Sequence, residues 1–201
     1  MKKQISSLTE EMKFLFLRDF AQWIDEGIDR EWGKLQKRAE SGEFEEYENY
    51  EAAMDYPLFR AKYAAHAVLH LLNVLVDEQL RNIVSVSTEY SYEPNKPTLP
   101  SEIISRLSFR EIRKHIEDRY KISLIDIEGW DHYLKIRKIV NALKHSSGER
   151  RLREVSEEEG TWKDLRYEPK LEDVKESVDI CRRLVRSLFR IVHCNEKRPN
   201  K

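Results

Sequence analysis

The chain has 201 residues, long enough for one domain with a sizeable core and short for two. Apolar residues make up 40% and charged residues 36%, a balance that suits long helices with one buried stripe and one solvated face. With 36 basic and 37 acidic side chains the net charge is −1, which excludes a global basic field for nucleic acid and leaves only a local patch to provide one.

The two cysteines, Cys181 and Cys194, fall on one predicted helix, thirteen residues apart. That is about 20 Å along an α-helix, so they do not pair there, and no zinc-ligand spacing is present. The N-terminal residues lack the apolar run of a signal peptide and no stretch approaches the length of a membrane span, so a cytoplasmic protein with no membrane partner is expected.

The first helix is expected to begin near Ser7, where Ser7 and Glu10 form a capping-box pattern. Phe14, Leu17, Phe20 or Ala21, Ile24, Ile28 and Leu35 follow at helical spacing, and Ser41-Gly42 ends it. A second helical region covers about 43–84. Pro57 is expected to break or kink it, and the part from Leu58 to Arg81 is apolar enough to be the central helix.

Residues 85–100 hold three prolines and no helical period, and are expected to form a long loop. Ser101 and Ser108 mark two further starts, the second with Glu111 in the capping-box position, and the helix over 109–120 carries Ile112 and Ile116. The next main helix starts near residues 128–130 and has Ile136, Ile139, Val140 and Leu143 on its core side. Ser146-Ser147-Gly148 ends it. Residues 149–169 are charged and irregular, or form a short hairpin across Glu159-Gly160. The last helix begins after Pro169 and runs to about His193 with a stripe of Val174, Val178, Cys181, Leu184, Val185 and Leu188. The expected architecture is an all-α, up-and-down helical bundle forming a single domain over residues 1–201.

The residues with most chemistry lie at the end of the penultimate main helix. Arg137, Asn141 and His145 are spaced i, i+4, i+8, and each step rotates only about 40° past a full turn, so they share one slanting strip. Lys144 lies within the strip and Tyr133 one turn before it. Arg137 and Lys144 would hold a phosphate, Asn141 would position it, and His145 titrates near neutrality and can pass a proton. RNA brings its own nucleophile, the 2′-hydroxyl, so a site that cuts RNA needs neither metal nor nucleophilic side chain. The plainer reading is that basic residues near a helix C-terminus favour the dipole and cap the last carbonyls, with Asn141 bonded to backbone.

The segment Ile136-Arg137-Lys138-Ile139-Val140-Asn141-Ala142-Leu143-Lys144-His145-Ser146, followed by an irregular charged stretch and a final helix, resembles the HEPN domains (higher eukaryotes and prokaryotes nucleotide-binding). The resemblance implies a helical bundle acting as a metal-independent endoribonuclease without a cofactor, of the toxin or antiviral-defence kind. It also implies a homodimer whose two motifs face a shared cleft, with a cognate antitoxin or defence-system protein as partner. His145 matches the motif histidine and Asn141 the polar residue four before it. The usual arginine position is Val140, and Arg137 stands one turn earlier, so the alternative is a non-catalytic HEPN-like module binding RNA, a nucleotide or a partner protein. Two residues after His145 is Ser147 rather than a tyrosine, which argues against the subgroup silenced by nucleotidylation there.

The resemblance also makes Glu78, beside Asp77 on the apolar helix, a supporting residue facing the motif, against the plainer reading that both carboxylates are solvated. His66 and His70 have metal-compatible spacing but no third ligand, and read as packed or hydrogen-bonded histidines. Arg182 and Arg186, with Arg183 and Arg190, either track an RNA backbone, form a solvated face, or pair with acids of the first helix. Trp23 and Trp32 read as core or dimer contacts, and Lys138 as solvent-facing.

Overall fold

A computed structural model describes residues 2–44, 47–89, 101–143 and 170–196. Among them are helices α1 (Lys2–Glu40), α2 (Tyr47–Glu89), α3 (Ser101–Arg106), α4 (Phe109–Tyr120), a 3₁₀ turn (Leu124–Asp126), α5 (Trp130–Leu143) and α6 (Leu171–Glu196), with no strand. The expected fold class, an all-α helical bundle, is the one found. Residues 90–100 and the hairpin candidate at 149–169 lie outside the described residues, while 85–89, expected in the loop, are the last turn of α2.

Two expected boundaries are corrected. The first helix begins at Lys2, so Ser7 lies inside it and is not its cap. Pro57 does not break the second helix, which runs unbroken from Tyr47 to Glu89. A proline removes one intrahelical hydrogen bond, at a cost of about 3 kcal/mol. Here the ring is buried and the long apolar stripe beyond it keeps the helix going.

The chain forms two compact units, Met1–Leu72 with Ile136–Asp179, and Asn73–Lys135 with Ile180–Lys201. Helices α2, α5 and α6 contribute residues to both.

In the first unit α1 buries Phe14, Leu17, Ala21 and Ile28, three to seven residues apart and so on one side of the helix. Ala65, Val68, Leu69 and Leu72 of α2, Ile136 and Val140 of α5, and Leu171, Val174 and Val178 of α6 complete this core. Gly42, at φ 77°, ends α1: its N–H donates to Ala39 O and the Glu43 N–H to Arg38 O, which satisfies two of the last carbonyls. The short connection makes α1 and α2 antiparallel neighbours, and Arg60 Nη1 donates to both carboxylate oxygens of Glu31 at 2.6 Å. Helix α6 lies along a flank of α1, where Lys175 Nζ donates to Gln22 Oε1 and Asp25 Oδ2 at 2.9 and 2.8 Å and Arg18 stands 3.5 Å from Asp179.

In the second unit the core is built on Leu80 and Ile83 of α2, Ile112 and Ile116 of α4, Leu124, Trp130 and Tyr133, and Leu184 and Leu188 of α6. Phe109 stacks on Trp130 with ring centres 5.9 Å apart. Arg81 donates to Asp77 and to the carbonyls of Ile104, Ser105 and Leu107, and so ties the C-terminal end of α3 and the residue after it to α2. Ser108 caps α4 as its sequence predicts: Glu111 N–H donates to Ser108 Oγ and Glu111 Oε2 accepts from Ser108 N–H.

Candidate functional site

Helix α5 carries the candidate strip, and its start is fixed by Gly129. That residue has φ 87°, and a Cβ there would lie 3.0 Å from Ile180 Cγ2 and 3.3 Å from the Ile180 carbonyl oxygen. Only glycine accepts both the left-handed backbone and so close an approach. From Gly129 the helix buries Trp130, Tyr133, Ile136 and Val140, three or four residues apart. Arg137 and Asn141 then fall off that buried line, one turn apart within the first unit, Arg137 half-buried and Asn141 exposed. Lys144 and His145, which the sequence places on the same strip, lie outside the described residues.

Two positions expected on the core side of α5 are not fully there. Leu143 is 38% exposed and Ile139 is half-buried. Val140 is a core residue, 1% exposed. Position 140 is therefore an apolar interior position, where an unpaired guanidinium would be costly. Lys138 is exposed, as expected.

The remaining candidates belong to the second unit. Arg182 is half-buried, and Arg183, Arg186 and Arg190 are exposed, on a stretch of α6 from Ile180 to His193 that holds no acidic residue. Arg183 Nε lies 3.7 Å from Glu128. Two ion pairs join α6 to α1 in the N-terminal half of α6, at Lys175 and Asp179. Glu78 is exposed, while Asp77 is half-buried and pairs with Arg81 at 2.9 Å.

His66 is half-buried with its ring edge-on to Tyr63, and His70 is exposed rather than packed. Among the described residues no three His, Cys, Asp or Glu side chains group as metal ligands would. Burial pushes the Cys181 thiol up to about 12, so it stays protonated and unreactive in the folded protein. His115 titrates below the ordinary histidine range, through its desolvation first and the nearby Arg119 second.

One feature was missed in the sequence. Trp23, read as a core or dimer contact, is not in the core: it is 64% exposed, with Phe16 71% and Met12 62% exposed on the same helix. Phe20 stacks between the two aromatic rings, 6.4 Å from Phe16 and 6.3 Å from Trp23. On α2, Leu71 and Val74 are half-exposed, although the apolar run around them predicts a fully buried helix. The signal was present in the spacing of Met12, Phe16 and Trp23, which repeats on the side of α1 away from Phe14, Leu17 and Ala21.

No family model, no curated protein and no solved structure matches the chain. No helix among the described residues is long and apolar enough to cross a membrane.

Proposed function

We propose that this chain is an HEPN-like endoribonuclease that cuts RNA without a metal ion, as a toxin or antiviral-defence effector. The observation that carries the reading is the position of Arg137 and Asn141. They stand one turn apart beside the core line of α5, about 60° and 100° round the helix from Val140, with His145 one turn beyond Asn141 in the sequence. In this reading the Arg137 guanidinium and the Lys144 ammonium hold the scissile phosphate, and the Asn141 amide orients it. His145 acts as acid or base while the RNA 2′-oxygen attacks the adjacent phosphorus. The 5′-oxygen of the next nucleotide leaves with a proton, which gives a 2′,3′-cyclic phosphate. Independently, the exposed row of Arg183, Arg186 and Arg190 on α6 suits contact with an RNA backbone. A cognate antitoxin or defence-system protein would then restrain the activity.

The buried Val140 favours a second reading, a non-catalytic helical module that binds RNA, a nucleotide or a partner protein. One experiment separates the two: incubation of total RNA with the protein in EDTA, wild type against His145→Ala and Arg137→Ala. Cutting that is lost in both variants supports the nuclease. Wild-type protein that never cuts, yet retards RNA on a gel, supports the module.

A further inference from the structure

Helices α3 and α4 are separated only by Leu107 and Ser108, yet they are held in different ways. Helix α4 has twelve residues, buries Ile112, Ile116 and Tyr120, and closes its own N-terminus with the box of Ser108 and Glu111. Helix α3 has six residues, well below the length of about 12–15 at which a helix begins to stand alone in water. Ile104 is its buried side chain, while Glu102, Ile103, Ser105 and Arg106 are exposed.

A side chain of α2 grips the end of α3. Arg81 Nη1 donates to the carbonyls of Ile104 and Ser105 at 2.6 and 3.2 Å, and Nη2 donates to that of Leu107 at 3.0 Å. Arg81 Nε donates to Asp77 Oδ2 at 2.9 Å, one turn back on the same helix, which fixes the plane of the guanidinium. Arginine presents its donors as a rigid fork, so one side chain can take several carbonyls at once; a lysine ammonium is a compact point of charge and cannot reproduce that fork.

We propose that α3 is a strap that opens as one piece while α2 and α4 stay folded, and that Arg81 is its catch. The seam falls between Leu107 and Ser108. Leu107 is the last residue that Arg81 holds, and Ser108 belongs to α4, because Glu111 completes its box and its carbonyl accepts from the Ile112 N–H at 3.0 Å. Releasing the strap breaks none of these α4 bonds, and the pair of Asp77 and Arg81 stays within α2. The opening costs the bonds to the guanidinium and the burial of Ile104, and it bares the Ile104 seat together with the freed guanidinium. All of these residues belong to the second unit, and the inference stands whether or not the chain cleaves RNA.

The test is amide hydrogen exchange of the full chain, read residue by residue by NMR over a series of urea concentrations below unfolding. An opening that exposes little surface is insensitive to urea, whereas one that unfolds a whole core accelerates steeply with it. The amides of Ser105, Arg106 and Leu107 are expected to exchange at rates nearly flat in urea, and those of Ile112 and Ile116 with a steep slope. Arg81→Lys, which keeps the charge and loses the fork, is expected to speed exchange at Ser105–Leu107 by about tenfold or more, the worth of one lost hydrogen bond to a charged group. Asp77→Asn, which leaves the fork but loosens its aim, is expected to give a smaller acceleration there. Ile116→Val is the reverse case: it is expected to speed the α4 amides by about two- to tenfold and to leave Ser105–Leu107 unchanged, because the open strap keeps α4 folded. A shared urea slope for the two segments overturns the strap, as does equal acceleration of both by Ile116→Val. Unchanged exchange at Ser105–Leu107 in Arg81→Lys overturns Arg81 as the catch.

Discussion

Helices α1 and α6 bury similar apolar stripes but differ on their opposite sides. On α6 that side carries Glu172, Glu176, Arg183, Arg186 and Arg190, all exposed and charged. On α1 it carries Met12, Phe16 and Trp23. An amphipathic helix such as α6 is completed by one core. A helix apolar on two sides is not, because the second side keeps about 25 cal/mol of unrelieved cost for each Å² of apolar surface in water. One helix is thus finished by its own core, and the other keeps an exposed apolar side.

The largest effect that sharpens this contrast is a pair of truncations. Leu184→Ala, on the buried stripe of α6, is expected to lower the unfolding free energy by about 2–5 kcal/mol. Phe16→Ala, measured in urea at a protein dilution where the chain is a monomer, is expected to change it by no more than about 0.5 kcal/mol. Equal losses at the two sites would break the comparison, since Phe16 would then be buried by its own chain. The smaller effect uses two glycines. Gly129→Ala is expected to cost about 2–4 kcal/mol, from the positive φ and the approach to Ile180. Gly33→Ala, with open space around its Cβ, is expected to stabilise the monomer by about 0.5–1 kcal/mol through helix propensity. Thermal or urea unfolding of the four variants under one set of conditions reads the whole series.

What was legible in the sequence was mostly local. The Ser108–Glu111 box announced α4 because its partners are three residues apart, and Gly42 announced the end of α1 for the same reason. The stripe of α6 from Val174 to Leu188 was legible because period 3.6 survives any tertiary arrangement. Pro57 misled because the local rule was outweighed by packing further along the helix. The Arg81 clamp was invisible since its carbonyl partners lie 23 to 26 residues away. Leu143, Leu71 and Val74 were apolar residues assigned to a core that does not reach them, for apolarity alone does not say which side of a helix is covered.

The strip on α5 falls between these cases. Its alignment is a property of the helix and was legible, and Arg137 and Asn141 do lie off the core line. Its chemistry depends on groups brought together from elsewhere, which no spacing rule supplies. The place of Val140 on the core side is likewise local and legible, and it is buried as its spacing from Ile136 predicts.

The most direct measurement uses a synthetic RNA cut by the protein at one mapped position in EDTA, remade with a single 2′-deoxynucleotide on the 5′ side of that bond. If His145 and Arg137 act on a phosphate attacked by its own ribose, the deoxy substrate resists at that position, and the all-RNA product ends in a 2′,3′-cyclic phosphate. Cleavage of the deoxy bond at an unchanged rate would contradict the account.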